Sequence, residues 1–203
     1  SMTIRGGDTS GTVDRYGGGI FNNSGGNVLL DSVHVTGNHS DYMGGGIVHS
    51  TANDSYRRTQ LGLMTIVNSA VTFNTETTAA GGIYVFRGAL VVENSTISSN
   101  MGGIASWGLE EFFLDVVLNH ATVANNTGYD LKFGDNAEVI MRNSLIAYNK
   151  GELGHGQIDQ ASHSIIGIDD KDDIVHLQDG NLKGTASQPL DIKYLPLQAG
   201  SNS

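Results

Sequence analysis

The chain lacks cysteine, holds only two prolines, and has few charged residues, which make up 16% of its 203 positions. Without cysteine it can form neither disulfides nor thiolate metal sites. No apolar run approaches the roughly 20 residues that span a bilayer, and no basic and apolar signal segment opens the chain. The start, Ser1-Met2-Thr3, resembles a tag scar, so we expect a fragment of a longer protein.

Positive charge is also scarce, with 11 lysines and arginines against 21 acids and a net charge of −10. This balance argues against nucleic acid as a partner and against docking to anionic lipid, because both need clustered basic residues. Glycine, in contrast, occupies 28 positions, and 38% of the residues are hydrophobic. That composition predicts short strands joined by tight corners around a buried core.

A seven-residue segment recurs six times and ends in asparagine five times and in aspartate once. The copies lie at 32–38, 68–74, 94–100, 120–126, 143–149 and 163–169. The last position forms a column of Asn38, Asn74, Asn100, Asn126 and Asn149, followed by Asp169. The fourth position is always valine or isoleucine, and aliphatic residues precede the first five segments by two and by four positions. This alternation predicts a strand with one apolar face in each copy.

A Gly-Gly-Ile triplet follows several of these segments, for example at 45–47, 81–83 and 102–104. We expect the glycines to supply positive φ at corners, and the asparagines to adopt left-handed conformations and bond to one another. One repeat cannot bury its own apolar face, so neighbouring repeats must stack.

The sequence therefore predicts an all-β fold, a single-stranded right-handed parallel β-helix of about six to eight coils with asparagine ladders. We expect one domain over 1–203, with regular coils over 17–170 and an irregular last coil and cap over 171–203. A β-sandwich with asparagine-rich loops is the alternative.

The segment Asn-Ser-x-[Ile/Val]-x-x-Asn followed by Gly-Gly-Ile resembles the repeats of bacterial surface pectin-lyase-like β-helix proteins. These include polymorphic outer-membrane proteins of the autotransporter passenger type and the choice-of-anchor group. The carriers are 68–74 with 81–83 and 94–100 with 102–104, and the resemblance covers about 17–200. It implies an extracellular or bacterial cell-surface location and transfers no catalytic residue.

Two coils carry extra residues, one after Ile47 and one after Ile104. Both insertions follow the same strand position, so we expect both loops to leave one side of the solenoid, where insertions often bind ligands. The candidate ligand-binding residues are Tyr56, Arg57, Arg58, Trp107, Glu110 and Glu111, with Phe112 beside them. An exposed indole offers a platform for a sugar ring, and arginine offers forked donors for a carboxylate. Alternatively, Trp107, Phe112 and Phe113 fold under the loop as a satellite core.

Catalytic and metal sites are weakly indicated. The acids Asp115, Asp130, Asp135 and Glu138 share no evident register, and no two carboxylates recur in register beside a basic residue. A charged turn contains Asp169, Asp170, Asp172 and Asp173, which could bind Ca²⁺, although a solvated turn is the simpler interpretation. We expect no other cofactor and no metal.

These observations favour a non-catalytic surface module, similar to an adhesin or a passenger domain, that binds a glycan or a host surface protein through its side loops. A polysaccharide lyase or hydrolase of the pectin-lyase-like class is one alternative, and a passive spacer is another. We expect no nucleic-acid partner and no direct membrane insertion. The oligomeric state stays open.

Overall fold

The computed structural model describes most of the chain as short strands. The described residues are 1–12, 15–50, 62–78, 80–106, 114–128, 131–134, 137–149, 158–168, 178–185 and 187–190. Within these ranges the only helical element is a three-residue 3₁₀ turn, Gln178–Gly180. No helix in the described ranges has the length and apolar character to cross a membrane.

The strands are two to six residues long, as expected where every corner redirects the chain. In chain order they are β1 Met2–Arg5, β2 Ile20–Asn22, β3 Val28–Asp31, β4 Val33–Thr36, β5 His39–Ser40, β6 Ile47–His49, β7 Leu63–Val67, β8 Ala70–Thr72, β9 Thr75–Glu76, β10 Ile83–Val85, β11 Gly88–Glu93, β12 Thr96–Ser98, β13 Ile104–Ala105, β14 Leu114–Asn119, β15 Thr122–Ala124, β16 Leu131–Lys132, β17 Ala137–Arg142, β18 Leu145–Ala147, β19 Gln160–Ser162, β20 Ile165–Ile166 and β21 Leu182–Lys183.

These strands form three main parallel sheets. The first sheet has the order β3-β7-β11-β14-β17-β19, the second β1-β4-β8-β12-β15-β18-β20-β21, and the third β2-β6-β10-β13-β16. The short pair β5-β9 completes the set. From β3 to β17 the chain passes through the first, second and third sheets and then returns to the next strand of the first. We call each such passage a repeat.

Parallel pairing follows from this path. In each sheet a strand pairs with the strand at the same place in the next repeat, so paired strands run in one direction. Parallel neighbours need a crossover between them, and here the other two sheets supply it. Hairpins between consecutive strands, which a sandwich would require, do not occur among the described strands.

The core consists of inward-facing aliphatic rows aligned from strand to strand. In the second sheet the row is Val35, Val71, Ile97, Val123, Ile146 and Ile166, and every member is buried. The first sheet contributes a row of Leu30, Ile66, Val92, Leu118 and Met141, and the third contributes Ile47, Ile83, Ile104 and Leu131. The strand alternation predicted from the sequence is therefore confirmed, and one continuous hydrophobic cluster joins the rows.

The corner after the second sheet is filled by the predicted asparagine column. Asn74 Nδ2 donates to Asn100 Oδ1 in the next repeat at 3.0 Å. It also donates to the backbone carbonyl of Val35, in the preceding repeat, at 3.1 Å. Asn100 Oδ1 also accepts from the Asn74 backbone amide at 2.9 Å. The same pattern links Asn38 to Asn74, Asn100 to Asn126, and Asn126 to Asn149. Each buried side chain thereby satisfies backbone groups that water does not reach.

The left-handed residues are not the ladder asparagines, in contrast to the sequence-based expectation. The residue before each of the five ladder asparagines has positive φ, and these residues are Gly37, Phe73, Ser99, Asn125 and Tyr148. The first residue of each of the six segments is also left-handed, as at Asn68 with φ 50°. The ladder asparagine is free to point inward because the preceding residue makes the turn.

The glycine pairs were also expected to supply positive φ. Most of these positions require glycine for a different reason, which is lack of space for a side chain. Gly45 has no room for a side chain, because an added Cβ would lie 2.0 Å from the carbonyl oxygen of Thr75. At Gly81 the Cβ would lie 2.6 Å from the carbonyl oxygens of Asn74 and Met101. Among Gly45, Gly81 and Gly102, only Gly102 has positive φ, at 89°. The pairs are therefore required mainly by close backbone contact between repeats.

A serine ladder at the corner between the first and second sheets was not expected. Ser95 Oγ accepts from the Ser69 amide at 2.9 Å and donates to the Glu93 carbonyl at 2.7 Å. Ser144 and Ser164 form the same step, with 3.2 Å between the Ser144 amide and Ser164 Oγ. Asn181 ends this series by accepting from the Ser164 amide at 3.0 Å. A serine is the second residue in four of the six segments, at 69, 95, 144 and 164, and it is the sequence signal for this ladder.

The predicted cap over 171–203 falls largely outside the described residues. The part that is described includes β21, which extends the second sheet beyond β20. Leu182 pairs with Ile165, so at least one further strand follows the last copy of the repeat.

Replacing Asn100 by alanine should lower the free energy of unfolding by about 3 kcal/mol or more, because several buried groups lose their partners at once. These include the amide and side chain of Asn74 and the carbonyl of Val71. Urea unfolding measures the change. The matched control is Asn119→Ala, whose half-exposed side chain donates only to Glu93 at 3.4 Å, and it should change stability by less than about 0.5 kcal/mol. Equal effects of the two substitutions would contradict the role of the ladder.

Candidate functional site

The residues predicted to bind a ligand lie outside the described residues. Tyr56, Arg57 and Arg58 belong to 51–61, and Trp107, Glu110 and Glu111 belong to 107–113. The strands from which the two loops leave are described, however. The first loop follows β6 and the second follows β13, and both strands pair with β10 in the third sheet. The loops then return to β7 and β14, which both pair with β11 in the first sheet.

The starting points of the loops therefore share one strand position, as the sequence predicted. Ile47 pairs with Ile83, and Ile83 pairs with Ile104. Parallel strands lie about 4.8 Å apart, so the two starting points are separated by about 10 Å. Both connections run from the third sheet to the first, and the second sheet takes no part in either.

The outward face of the third sheet carries a second apolar cluster beside these starting points. It consists of Met43, Val48, Ala80, Tyr84 and Ala105, all buried. Tyr84 is completely buried, and its ring contacts that of Phe86 edge to face, with 5.5 Å between the centroids. An outward-facing sheet residue is normally solvated, so this burial identifies a satellite core on the flank from which the loops leave. Whether Trp107, Phe112 and Phe113 belong to it stays a prediction.

A buried histidine joins the two ends of the first loop. His49 Nε2 lies 3.0 Å from the carbonyl of Gly62, and Nδ1 lies 2.9 Å from Asn22 Nδ2. A carbonyl only accepts, so Nε2 carries the hydrogen and Nδ1 accepts. Ser24 Oγ donates to Asn22 Oδ1 at 2.7 Å, which holds the Asn22 amide in this orientation. Burial lowers the pKa of His49 from its usual 6.5, although the bond to Gly62 acts in the opposite direction.

Two carboxylates face outward next to the end of the second loop. Asp115 on β14 pairs directly with Glu138 on β17, and both side chains are exposed. The expectation that these acids share no register is wrong, because each lies five residues before the first residue of its seven-residue segment. The nearest basic residue along the strand is Arg142, four residues after Glu138 and therefore about 13 Å away. Two carboxyl groups can act as a general acid and a general base, and within the described strands β14 and β17 no basic residue lies beside them.

Metal binding is not indicated by the part of the chain that the structure describes. There, no three histidine, aspartate or glutamate side chains form a group that could hold a metal ion. Asp169, Asp170, Asp172 and Asp173, the Ca²⁺ candidates, lie outside the described residues.

A groove of about 500 Å³ lies at the end of the first sheet, between β17, β19 and the 3₁₀ turn. Its polar lining includes Arg142, Asp159, His163 and Asp179, which sequence spacing did not bring together. Asp159 Oδ2 accepts from the Val139 amide at 2.8 Å, and the His163 amide donates to the Asp179 carbonyl at 2.8 Å. These bonds join Asp159 to β17 and His163 to the 3₁₀ turn, at the end of the first sheet where β19 is the last described strand.

Comparison of the chain with family models, with curated proteins and with solved structures finds no match.

The bonds of His49 predict how stability depends on pH. The unfolded chain takes up a proton as pH falls through about 6.5, whereas the buried ring stays neutral to lower pH. The unfolded state therefore binds more protons in that window, and the free energy of unfolding falls as pH drops below about 6.5. His49→Gln keeps a donor for the Gly62 carbonyl and removes the titration. Urea unfolding between pH 5 and 8 should show a shallower decline for the variant, and an unchanged decline would contradict this assignment.

Proposed function

We propose that the chain is a right-handed parallel β-helix module of a secreted or cell-surface bacterial protein. Its proposed role is non-catalytic binding of a glycan or a host surface protein through the loops 51–61 and 107–113. Three parallel sheets visited in a fixed order support the winding. The resemblance of the repeats to bacterial surface proteins supports the location.

The observation that carries the binding role is the shared origin of the two loops. Both begin from the third sheet, at Ile47 and Ile104, with one strand between them. Two insertions at equivalent positions extend one flank while the other repeats stay short, which is how solenoids commonly build a binding surface. The neighbouring satellite core gives this flank a rigid base.

The composition of the loops suggests how a sugar would be recognised. Trp107, the only tryptophan of the chain, offers a flat apolar surface, and such rings carry much of the binding energy in protein interfaces. Arg57 and Arg58 offer forked donors to carboxylates, and Glu110 and Glu111 offer acceptors to hydroxyls. An acidic or uncharged glycan suits this set.

Binding should be measured on a glycan array and then by the fluorescence of Trp107. A bound sugar should shift the emission, and Trp107→Ala should weaken binding at least tenfold because the stacking surface is lost. Trp107→Phe should retain part of the affinity. Leu29→Ser removes another exposed apolar side chain, 67% exposed on the first sheet, and should leave the affinity unchanged. A protein that binds nothing on the array would favour a spacer, and a Trp107→Ala variant with full affinity would contradict the role of this loop.

A polysaccharide lyase or hydrolase is the second candidate, and the exposed pair Asp115 and Glu138 favours it. Paired carboxylates are the groups that glycoside cleavage uses. Under this proposal, the chain should release reducing or unsaturated ends from an acidic polysaccharide, with and without added Ca²⁺. Asp115→Asn should then abolish turnover. A blank assay under both conditions would exclude the candidate.

A further inference from the structure

We propose that the outward face of the second sheet, bordered by Phe73 and Tyr148, binds an extended, uncharged polysaccharide chain. This face is separate from the two loops, which connect the third sheet to the first. The proposal does not depend on the function assigned to the loops.

Phe73 and Tyr148 occupy the same position in different repeats. Both belong to the left-handed column of Gly37, Phe73, Ser99, Asn125 and Tyr148. The backbone amides of the first four members donate to a carbonyl at the end of the next strand of the second sheet. Three repeats separate the two aromatic residues, so they lie about 14 Å apart. A single sugar ring does not reach both, whereas an oligosaccharide does.

Both aromatic residues have a backbone conformation that their side chains disfavour. Phe73 has φ 55° and Tyr148 has φ 56°, whereas Gly, Ser and Asn fill the other members of the column. A bulky residue in the left-handed region is an outlier, and such outliers concentrate at functional sites. Packing does not account for them, because Phe73 is 64% exposed and Tyr148 is 45% exposed.

The side chains beside this column are uncharged and mostly small. One row is Thr72, Ser98, Ala124 and Ala147, in which only Ser98 is partly exposed. The next row, Ala70, Thr96, Thr122 and Leu145, is partly exposed throughout. Successive members lie about 4.8 Å apart, so neither row contains a side chain large enough to block a chain lying along it.

Hydroxyl and amide groups on this face are available to a ligand. The side chains of Thr96, Ser98, Ser99, Thr122 and Asn125 make no hydrogen bond to any residue in the described ranges. The inward neighbours Ser95 and Asn100 are, in contrast, fully bonded. Hydroxyls and amides both donate and accept, as do the hydroxyls of a sugar.

The absence of charge identifies the class of ligand. From β8 to β18, the strands of the second sheet contain no aspartate, glutamate, lysine or arginine, although the whole chain has a net charge of −10. A phosphate, a uronic acid or a basic peptide would find no ion pair there. Exposed aromatic rings beside neutral donors and acceptors match an uncharged polysaccharide, whose rings have apolar faces and hydroxyl edges.

Native affinity electrophoresis of the whole chain tests the proposal with soluble hydroxyethyl cellulose, xylan and galactomannan, and with polygalacturonate as the charged comparison. At least one uncharged polymer should retard the wild-type protein, and about 0.5 M NaCl should not weaken binding, since no ion pair is screened. The double variant Phe73→Ser, Tyr148→Asn should bind at least tenfold more weakly. Serine and asparagine are the residues found at the equivalent positions 99 and 125. We therefore expect the variant to fold and its melting temperature not to fall.

Leu29→Ser, which removes an exposed apolar side chain from another sheet, should keep full affinity. Wild-type migration that none of the uncharged polymers alters, or a double variant with unchanged affinity, overturns the proposal. A wild-type protein that self-associates and becomes monomeric in the double variant would assign the face to a second copy instead, which also overturns it.

Discussion

The hydrogen bonds of the buried asparagine column are the constraint on which the rest of this structure depends. Each corner after the second sheet turns the backbone inside the protein, where water does not satisfy its amides and carbonyls. One asparagine per repeat bonds to the repeats on both sides, so removing one member affects its neighbours. Such bonds require equivalent corners to lie directly beside each other. The aliphatic rows and the sheet registers follow from that alignment.

The same alignment separates structural from functional positions. Inward positions are restricted to aliphatic side chains, to ladder serine and asparagine, and to glycine where another strand passes too closely. None of these requirements applies to the outward positions. The left-handed column contains residues as different as Gly37 and Phe73, and repeat length changes in the connections from the second sheet to the third and from the third to the first. Binding functions are therefore expected on the outward faces and in the longer connections.

Much of this arrangement follows from the sequence, because stacked repeats place equivalent residues in equivalent surroundings. The strands, their inward rows and the common origin of the two loops could be predicted from the spacing of Asn74, Asn100 and Asn126 alone. The left-handed positions could not be predicted in this way. Asparagine tolerates a positive φ, which suggested the ladder asparagines themselves, whereas the residue before each of them has the positive φ. The role of the glycines was misjudged for a related reason. Close contact with Thr75 depends on a neighbouring repeat, which local propensity does not describe.

The candidate sites were harder to predict. Asp115 and Glu138 each lie five residues before a seven-residue segment, so their pairing could have been predicted from the repeat alignment that predicts the aliphatic rows. The exposed aromatic residues at 73 and 148 stand at positions that the sequence marked as variable, and their significance comes from backbone conformation and exposure together. Arg142 and Asp179 line one groove although the connection between them in the sequence has no repeat pattern.

Distances between spin labels on the first sheet test the stacking of repeats most directly, and the absence of native cysteine allows labels at chosen sites. Leu29, Val117 and Ile140 face outward at equivalent positions of this sheet. The Cα atoms of Leu29 and Ile140 should be about 19 Å apart, and those of Leu29 and Val117 about 14 Å apart, because each added strand contributes about 4.8 Å. Pulsed electron paramagnetic resonance on spin-labelled cysteine pairs at these positions should give a distance that increases by about 4.8 Å for each added strand. Distances that fail to rise with the number of intervening strands would contradict the stacked arrangement.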